Sequence, residues 1–234
     1  MALFSNTTGA NNTAIGKDAL KANTTGDNNI AIGGEALYSN TTGERNTANG
    51  YKTLYSNTTA SYNTANGYRA LYSNTTGDNT IAIGFEALYS NTTGVGNAAN
   101  GFKALYSNTT GSNNTANGKD ALFSNTTGYT NTANGVDALR GNTTGAGNVA
   151  NGLEALDSNT TGNNNTAIGN GADVASNNLS NVTAIGYGAT VSVSNTIQLG
   201  NSNVTLVQTS GTISATAFVG DGSGLTGVSG ASYT

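Results

Sequence analysis

The side chains that could act as acids or bases are carboxylates, because the 234 residues include twelve Asp and Glu but no His or Cys. Six of them recur at one position of a repeating sequence: Asp18, Glu35, Glu86, Asp120, Asp137 and Glu154. A glycosidase needs two carboxylates that flank its substrate. Here Lys52, Arg69 and Lys103 interrupt the column, and the presence of both charge signs limits repulsion between neighbouring repeats. The pattern therefore favours a solvated charged edge over a catalytic pair, and we expect a protein that is not an enzyme.

Motifs for metals, cofactors and modification are weak. The calcium-binding repeat G-G-x-G-x-D is absent. The segment GDGSG at residues 220–224 supplies a single carboxylate and is typical of a turn. We expect no metal and no cofactor. The ten Asn-Thr-Thr triplets are formally N-glycosylation sequons, but Asn and the Gly that usually follows the triplet are also typical of a tight turn.

The strongest signal in the chain is its period. The Asn-Thr-Thr triplets begin every 17 residues from Asn6 to Asn159, and an Ala two residues before a Gly recurs at the same interval from Ala14 to Ala184. A fixed short period predicts stacked structural repeats. Gly is abundant at 33 residues, Pro is absent and only 9% of residues are charged, unlike a typical disordered chain. We predict an all-β, parallel β-roll of about eleven rungs, a rod about 50 Å long.

Each repeat predicts two short strands and two bends. The strands are N-T-A-(I/N)-G and A-L-Y-S, and the bends are N-T-T-G-x-x and G-x-x, where Asn and Gly favour turns. Leu should form the main column of the core, because alternation along A-L-Y-S separates it from Tyr. Its members are Leu3, Leu20, Leu37, Leu54, Leu71, Leu88, Leu105, Leu122, Leu139 and Leu156. This core is thin, which predicts that the rod gains further burial by forming an oligomer.

The residue between the repeated Ala and Gly is the candidate position for a trimer axis or a core column. Its members are Ile15, Ile32, Asn49, Asn66, Ile83, Asn100, Asn117, Asn134, Asn151, Ile168 and Ile185. Two interpretations remain open. The Asn side chains form an internal ladder bonded along the stack, or they line an axis between subunits that holds water or an anion.

Aromatic residues form two further columns in the middle of the rod. One contains Tyr38, Tyr55, Tyr72, Tyr89 and Tyr106, and the other contains Tyr51, Tyr68, Phe85 and Phe102. Stacking of the rings between rungs would explain such columns. A surface that binds a partner, another subunit or a glycan would also explain them.

The net charge and the hydropathy of the chain limit the kinds of partner that it can bind. A formal net charge of -4 provides no basic field, so we expect no nucleic acid partner. No apolar run approaches the roughly 20 residues that a membrane span needs, so we expect no membrane insertion. The first residues, MALFSNTTG, show no secretory signal.

At A-I-G-x-x-A, as in TAIGKDAL (residues 13–20) and TAIGYGAT (183–190), the sequence resembles the head repeats of YadA-like trimeric autotransporter adhesins. The resemblance spans about residues 2–190 and implies a left-handed parallel β-roll wound as a homotrimer that works by attachment to a cell-surface glycan or protein receptor. The repeat here is longer than the family's, and Asn often replaces Ile. We assign residues 1–190 to the roll.

Residues 191–234 leave the 17-residue phase and form a second, β-rich and Gly-rich segment. The stretch GTISATAFVGDGSGLTG (211–227) is similar to linkers in phage tail fibres. The two resemblances together imply a structural and adhesive fibre at a cell or virion surface, outside the cell. Its unpaired end rung predicts end-to-end association into filaments. An ice-binding solenoid and a polysaccharide-acting β-helix enzyme are the alternatives.

Overall fold

The computed structural model describes residues 1–208, 210 and 214, and its strands form two parallel sheets. The larger sheet has twelve strands in the order β1 to β10, β12 and β14, and the smaller one pairs β11 with β13. The strands are β1 Thr13–Ile15, β2 Ile30–Ile32, β3 Thr47–Asn49, β4 Thr64–Asn66, β5 Ile81–Ile83, β6 Ala98–Asn100, β7 Thr115–Asn117, β8 Thr132–Asn134, β9 Val149–Asn151, β10 Thr166–Ile168, β11 Asp173–Val174, β12 Thr183–Ile185, β13 Thr190–Val191 and β14 Ile197–Leu199. Among the described residues there is no helix that could cross a membrane. The prediction of an all-β solenoid with 17-residue rungs is confirmed.

The register of the large sheet follows the sequence period. Each residue pairs with the one 17 positions later, as Ala14 does with Ala31, so the repeated Ala side chains stack in one column. The last step is shorter: Ala184 pairs with Gln198, only 14 residues on. The sheet therefore extends past residue 190 into the segment that we assigned separately, and the compact unit runs from Met1 to Asn203. Most of our prediction for 191–234 lies outside the described residues.

The second predicted strand, A-L-Y-S, is wrong for the first ten rungs. The Leu of each of these rungs has a φ angle between 49° and 53°, in the left-handed region. Backbone hydrogen bonds still join successive rungs here, for example from Leu37 N–H to the Thr53 carbonyl at 3.0 Å. Only β11 and β13 are extended at this place in the rung, and there Val174 and Val191 fill the core. Asp173 and Thr190 stand at the Leu position, and because alternate residues of an extended strand share a face, the Val after each of them points into the core beside the preceding Ala.

The core of one rung is small and partly polar. In the second rung Ala31, Ala36 and Leu37 are fully buried, and in the next bend Asn40 and Asn46 are fully buried as well. Burying one Leu contributes about 1.5–3 kcal/mol, whereas Ala contributes much less. Each rung is therefore stabilised mainly by stacking on its neighbours.

The Gly that follows each strand from β1 to β10 is required by close approach. Gly16 has a φ of 132°, and a Cβ there would overlap the carbonyl of Gly33 in the next rung. The short bend consequently packs backbone directly on backbone, which fixes the position of the strand before it.

Candidate binding surfaces

The strands of the large sheet present one face to the outside of the chain. In each large-sheet strand from β2 to β10, and in β12, the central Ala is buried, while the flanking side chains point outward; we call these outward side chains the sheet face. Ile30 and Ile32 on β2 are 41% and 39% exposed, and Ile81 and Ile83 on β5 are exposed as well. Within the described residues, a partly apolar face along the large sheet is thus left uncovered.

The candidate axis or core column lies on this sheet face. All its members are exposed except Asn134, which is half-buried, so the internal interpretation of the column is wrong for a single chain. Alternation explains the outcome, because a strand that turns its Ala inward must turn the next residue outward. One side-chain hydrogen bond runs along the column, from Asn117 Nδ2 to Asn134 Oδ1 at 2.9 Å. The structure therefore places the column on the outside of the single chain, on the sheet face.

An internal Asn ladder does exist, but it is formed by the first residues of the Asn-Thr-Thr triplets. From Asn23 to Asn159 these side chains are fully buried; we call them the Asn ladder. Asn40 Nδ2 donates to Asn23 Oδ1 at 2.7 Å and to the Gly43 carbonyl at 3.0 Å, and the pattern repeats in every rung. The sequence signal was the invariance of this Asn, which a turn alone does not require.

The two predicted aromatic columns form stacked ladders. Ring centroids from Tyr38 to Tyr106 are 5.1–5.2 Å apart, and Phe123 continues the stack at 5.3 Å. The column from Tyr51 to Phe102 stacks at 5.2–5.7 Å. Each ring inside a stack has its two faces covered by its neighbours. The ladders therefore offer ring edges and hydroxyl groups to a partner, whereas a sugar prefers an open ring face.

Cations from the charged edge lie between the two ladders. The Lys52 ammonium is 5.4 Å from the Tyr51 ring centroid and 5.3 Å from that of Tyr55, and Arg69 and Lys103 bridge the ladders in the same way. Such cation–π contacts contribute about 0.5–1 kcal/mol each at exposed sites. Burial within the ladder, with Glu35 nearby, raises the pKa of the Tyr55 hydroxyl. These contacts favour a structural role for the charged edge.

A pair of carboxylates that the sequence did not indicate lies near the end of the roll. Burial is the main cause that raises the pKa of Asp157, and the charge of Asp173 adds to it. Asp173, whose pKa burial also raises, accepts hydrogen bonds from the N–H groups of Ser158 at 3.2 Å and Val174 at 2.8 Å. Within the described residues, no group of three or more His, Cys, Asp or Glu side chains is arranged to hold a metal ion.

A pocket interrupts the long bend between the eighth and tenth strands. It is lined by Tyr129, Thr130, Ala146, Gly147, Asn163 and Asn164 and has a volume of about 410 Å³. Sequence reasoning missed it because Tyr129 occurs only once at its place in the repeat. The signal that could have found it is the neighbouring pair Ala146-Gly147, the smallest pair at these two positions of any rung.

No protein-family model and no curated protein matches the chain. The 17-residue register, the twelve-stranded parallel sheet and the columns of stacked side chains define it as a β-solenoid repeat protein.

Proposed function

We propose that the chain is a segment of a homotrimeric fibre, located outside the cell on a cell or virion surface, which sets length and stiffness and presents a binding surface. The exposed sheet face supports this proposal. Its apolar side chains run along a rod whose own core is thin, and small cores are commonly completed by oligomerisation.

The order of residues along the sheet face favours parallel association around an axis that follows the rod. From β1 to β14 the candidate column, completed by Leu199, reads Ile, Ile, Asn, Asn, Ile, Asn, Asn, Asn, Asn, Ile, Ile, Leu. Parallel copies in register bring each residue against its own equivalent, so Ile meets Ile and Asn meets Asn. Antiparallel copies would set Asn49 against Ile168 and Ile83 against Asn134. Only the parallel arrangement pairs every apolar residue with another apolar one.

Asn is well suited to such an axis, because its side chain both donates and accepts hydrogen bonds. Three equivalent amides at one height can bond around the axis or hold a water or an anion. The number three comes from the resemblance to the trimeric adhesin head repeats. Attachment as the function rests on the same resemblance and on the similarity of residues 211–227 to tail-fibre linkers.

The mass of the particle in solution tests the assembly. Light scattering coupled to size-exclusion chromatography should give about three times the chain mass of 23.3 kDa. A mass near that of one chain would contradict the proposal.

A cysteine scan tests the orientation, since the chain has no natural cysteine. Asn49→Cys should cross-link between chains on oxidation, because parallel copies bring position 49 to the axis three times. Thr110→Cys, exposed on the long bend, is the matched control and should remain uncross-linked. Efficient Asn49→Cys cross-linking only when Ile168→Cys is also present would indicate antiparallel packing instead.

Replacing the Asn residues of the column tests its environment. The triple variant Asn100→Ile, Asn117→Ile and Asn134→Ile should be tolerated or should stabilise the trimer, because Ile83 already occupies the same column. A marked loss of stability would show that the amides bond to one another around or along the axis.

Two further proposals concern the ends and the long bend. Among the described residues, strand β1 pairs with β2 alone, and an edge strand of this kind can bind a second rod end to end, which electron microscopy at high concentration would show as filaments. An ice-binding solenoid is the second candidate function, favoured by one exposed Thr per rung from Thr8 to Thr161. The hydroxyl of the other Thr in each triplet is already hydrogen-bonded, as in the bond from Thr24 Oγ1 to the Thr41 carbonyl at 3.0 Å. The bend therefore offers ice a single column of Thr side chains. Thermal hysteresis in a solution of the chain would support the ice-binding function.

A further inference from the structure

The pocket on the long bend is a local break in an otherwise uniform rod. Tyr129 and Thr130 lie on one rung, Ala146 and Gly147 on the next, and Asn163 and Asn164 on the third. Its volume of about 410 Å³ falls in the range of sites for small ligands, roughly 300–1,000 Å³.

The pocket exists because the middle rung lacks side chains there. Gly147 has a φ of 68°, but this left-handed conformation does not require Gly, since Thr130 and Asn164 hold the same place in their rungs with φ angles of 54° and 56°. A Cβ on Gly147 would lie 2.6 Å from Asn164 Oδ1. The Ala146-Gly147 pair thus removes bulk between Tyr129 and the Asn residues, and backbone geometry does not explain its presence.

The ring of Tyr129 differs from those of the two ladders. It is 57% exposed and takes part in none of the aromatic stacks of the described residues, because the residue above it in the column is Ala146. Its ring is therefore open toward the pocket, where the ladder rings are covered by their neighbours.

Two polar groups at the pocket, the Tyr129 N–H and the Asn164 side chain, are available to a ligand. At this position of several other rungs the backbone N–H donates to a side chain of the next rung, as Ser61 does to Asp78 Oδ1 at 2.7 Å and Ala146 does to Asn163 Oδ1 at 2.8 Å. Ala146 offers no such acceptor, so within the described part of the chain the Tyr129 N–H has no partner. The Asn164 side chain likewise makes no hydrogen bond to the described residues.

We propose that this pocket binds a neutral saccharide, with the C–H face of a pyranose ring against Tyr129. The Tyr129 N–H and the Asn164 amide supply a backbone donor and a side-chain donor and acceptor for its hydroxyl groups. None of the six lining residues is charged, which favours a neutral sugar over an acidic one. The inference gives a ligand class to the attachment function proposed above, and it uses no residue of the sheet face.

Saturation-transfer NMR with cellotetraose, chitotetraose and lactose as probes tests the site on the full chain. At least one probe should give saturable binding. Tyr129→Ala should weaken that binding at least tenfold, and Tyr129→Phe should retain most of it because the ring remains. Ala146→Tyr should also abolish binding, since the new ring would cover Tyr129 as rings cover one another in the ladders.

Tyr62→Ala is the matched control. Tyr62 is a similarly exposed Tyr on the long bend of another rung, but the Arg45 guanidinium lies 5.3 Å from its ring centroid and donates to its hydroxyl at 2.8 Å. Its removal should leave sugar binding unchanged. Thermal unfolding of every variant shows whether the rod is intact, and Tyr129→Ala should unfold at nearly the wild-type temperature because the ring is exposed.

Absence of binding by all three probes, or wild-type binding by both Tyr129→Ala and Ala146→Tyr, would overturn the inference. The particle mass measured on the same samples separates this result from the fibre proposal. A monomer that binds sugar keeps the site and contradicts the trimer, whereas a trimer that binds no sugar keeps the fibre and contradicts the site.

Discussion

The Asn ladder should be the polar part of the core most sensitive to substitution, and Asn91 is its best test position. Asn91 Nδ2 donates to Asn74 Oδ1 at 2.8 Å and to the Gly94 carbonyl at 3.0 Å, while its Oδ1 accepts from Asn108 Nδ2 at 2.8 Å. In several other rungs a second buried Asn also donates to the carbonyl equivalent to that of Gly94, as Asn97 does to Gly111. Here Thr80 occupies that place, so Asn91 is the partner of the Gly94 carbonyl among the described residues. Replacing Asn91 by Ala should therefore leave a buried carbonyl without a donor.

The expected loss follows from the bonds removed. Three hydrogen bonds at a net value of about 1 kcal/mol each, together with the cost of about 1–3 kcal/mol for the buried carbonyl, give a loss of about 4–6 kcal/mol in the free energy of unfolding. Urea unfolding followed by circular dichroism measures it through the midpoint at constant m. Asn170→Ala is the control, because Asn170 is exposed and its side chain makes no hydrogen bond within the described part of the chain. That change should cost less than about 0.5 kcal/mol.

Asn91→Leu separates hydrogen bonding from volume. Leu fills the space but bonds to nothing, so it should be as destabilising as Ala. Recovery of wild-type stability by Leu, or a loss below about 1 kcal/mol for Ala, would refute the reasoning that the ladder stabilises the rod through its hydrogen bonds.

Two other predictions concern the backbone and pH. Leu105→Ile conserves volume and would ordinarily cost less than about 1.5 kcal/mol, but Leu105 has a φ of 53°, where a β-branched residue is strained, so we expect a loss of about 2–3 kcal/mol. Leu199→Ile on extended β14 is the control, and equal effects of the two changes on the urea midpoint would contradict the argument. Because burial raises the pKa of Asp157 in the folded state, the folded chain keeps that proton to higher pH than the unfolded chain does, and stability falls as pH rises through the folded pKa. Asp157→Asn should therefore raise the unfolding temperature at pH 7 and reduce its decline between acidic and neutral pH, and an unchanged slope would contradict this.

The period alone was sufficient to predict the fold class. Counting from Asn6 to Asn159 gives the rung length, and the Ala-x-Gly phase gives the strand register, because parallel stacking in register repeats every contact. The conformation of A-L-Y-S could not be predicted in the same way. An alternating pattern separates Leu from Tyr in an extended strand, but a left-handed Leu next to a buried Ala achieves the same separation. The β-branched Val174 and Val191 at the end of the roll were the available signal that the backbone changes there.

The candidate surfaces were predicted unevenly for a related reason. Columns are visible in a repeat, so both aromatic ladders and the sheet-face column were found. Which Asn column lies inside could not be decided from the sequence, because an internal Asn ladder was considered next to Ile, whereas the buried Asn belongs to the triplet that also resembles a turn. The Tyr129 pocket depends on a departure from the repeat, and departures are hidden when the argument uses only what recurs.

The buried ladder also decides what the Asn-Thr-Thr sequons can do in the folded chain. Asn40 is fully buried, and both hydrogens of its amide are engaged, one by Asn23 Oδ1 and one by the Gly43 carbonyl. A transferase must reach this nitrogen, so attachment of a sugar would require the ladder to open. By contrast, Asn113 and Asn164 begin Asn-Asn-Thr sequons and are exposed.

Incubation of the folded chain with a soluble asparagine glycosyltransferase and its sugar nucleotide should therefore modify Asn113 and Asn164 and spare Asn40, as read by mass spectrometry. Tryptic peptides of the same chain, which cannot form the ladder, should be modified at Asn40 as well. Sugar on Asn40 in a rod with an unchanged unfolding temperature would show that this amide is accessible and that the ladder does not hold it. Protection of Asn40 would mean that the most frequent motif of the sequence serves the core of the rod, and that any glycan attachment in the folded state is confined to the long bends.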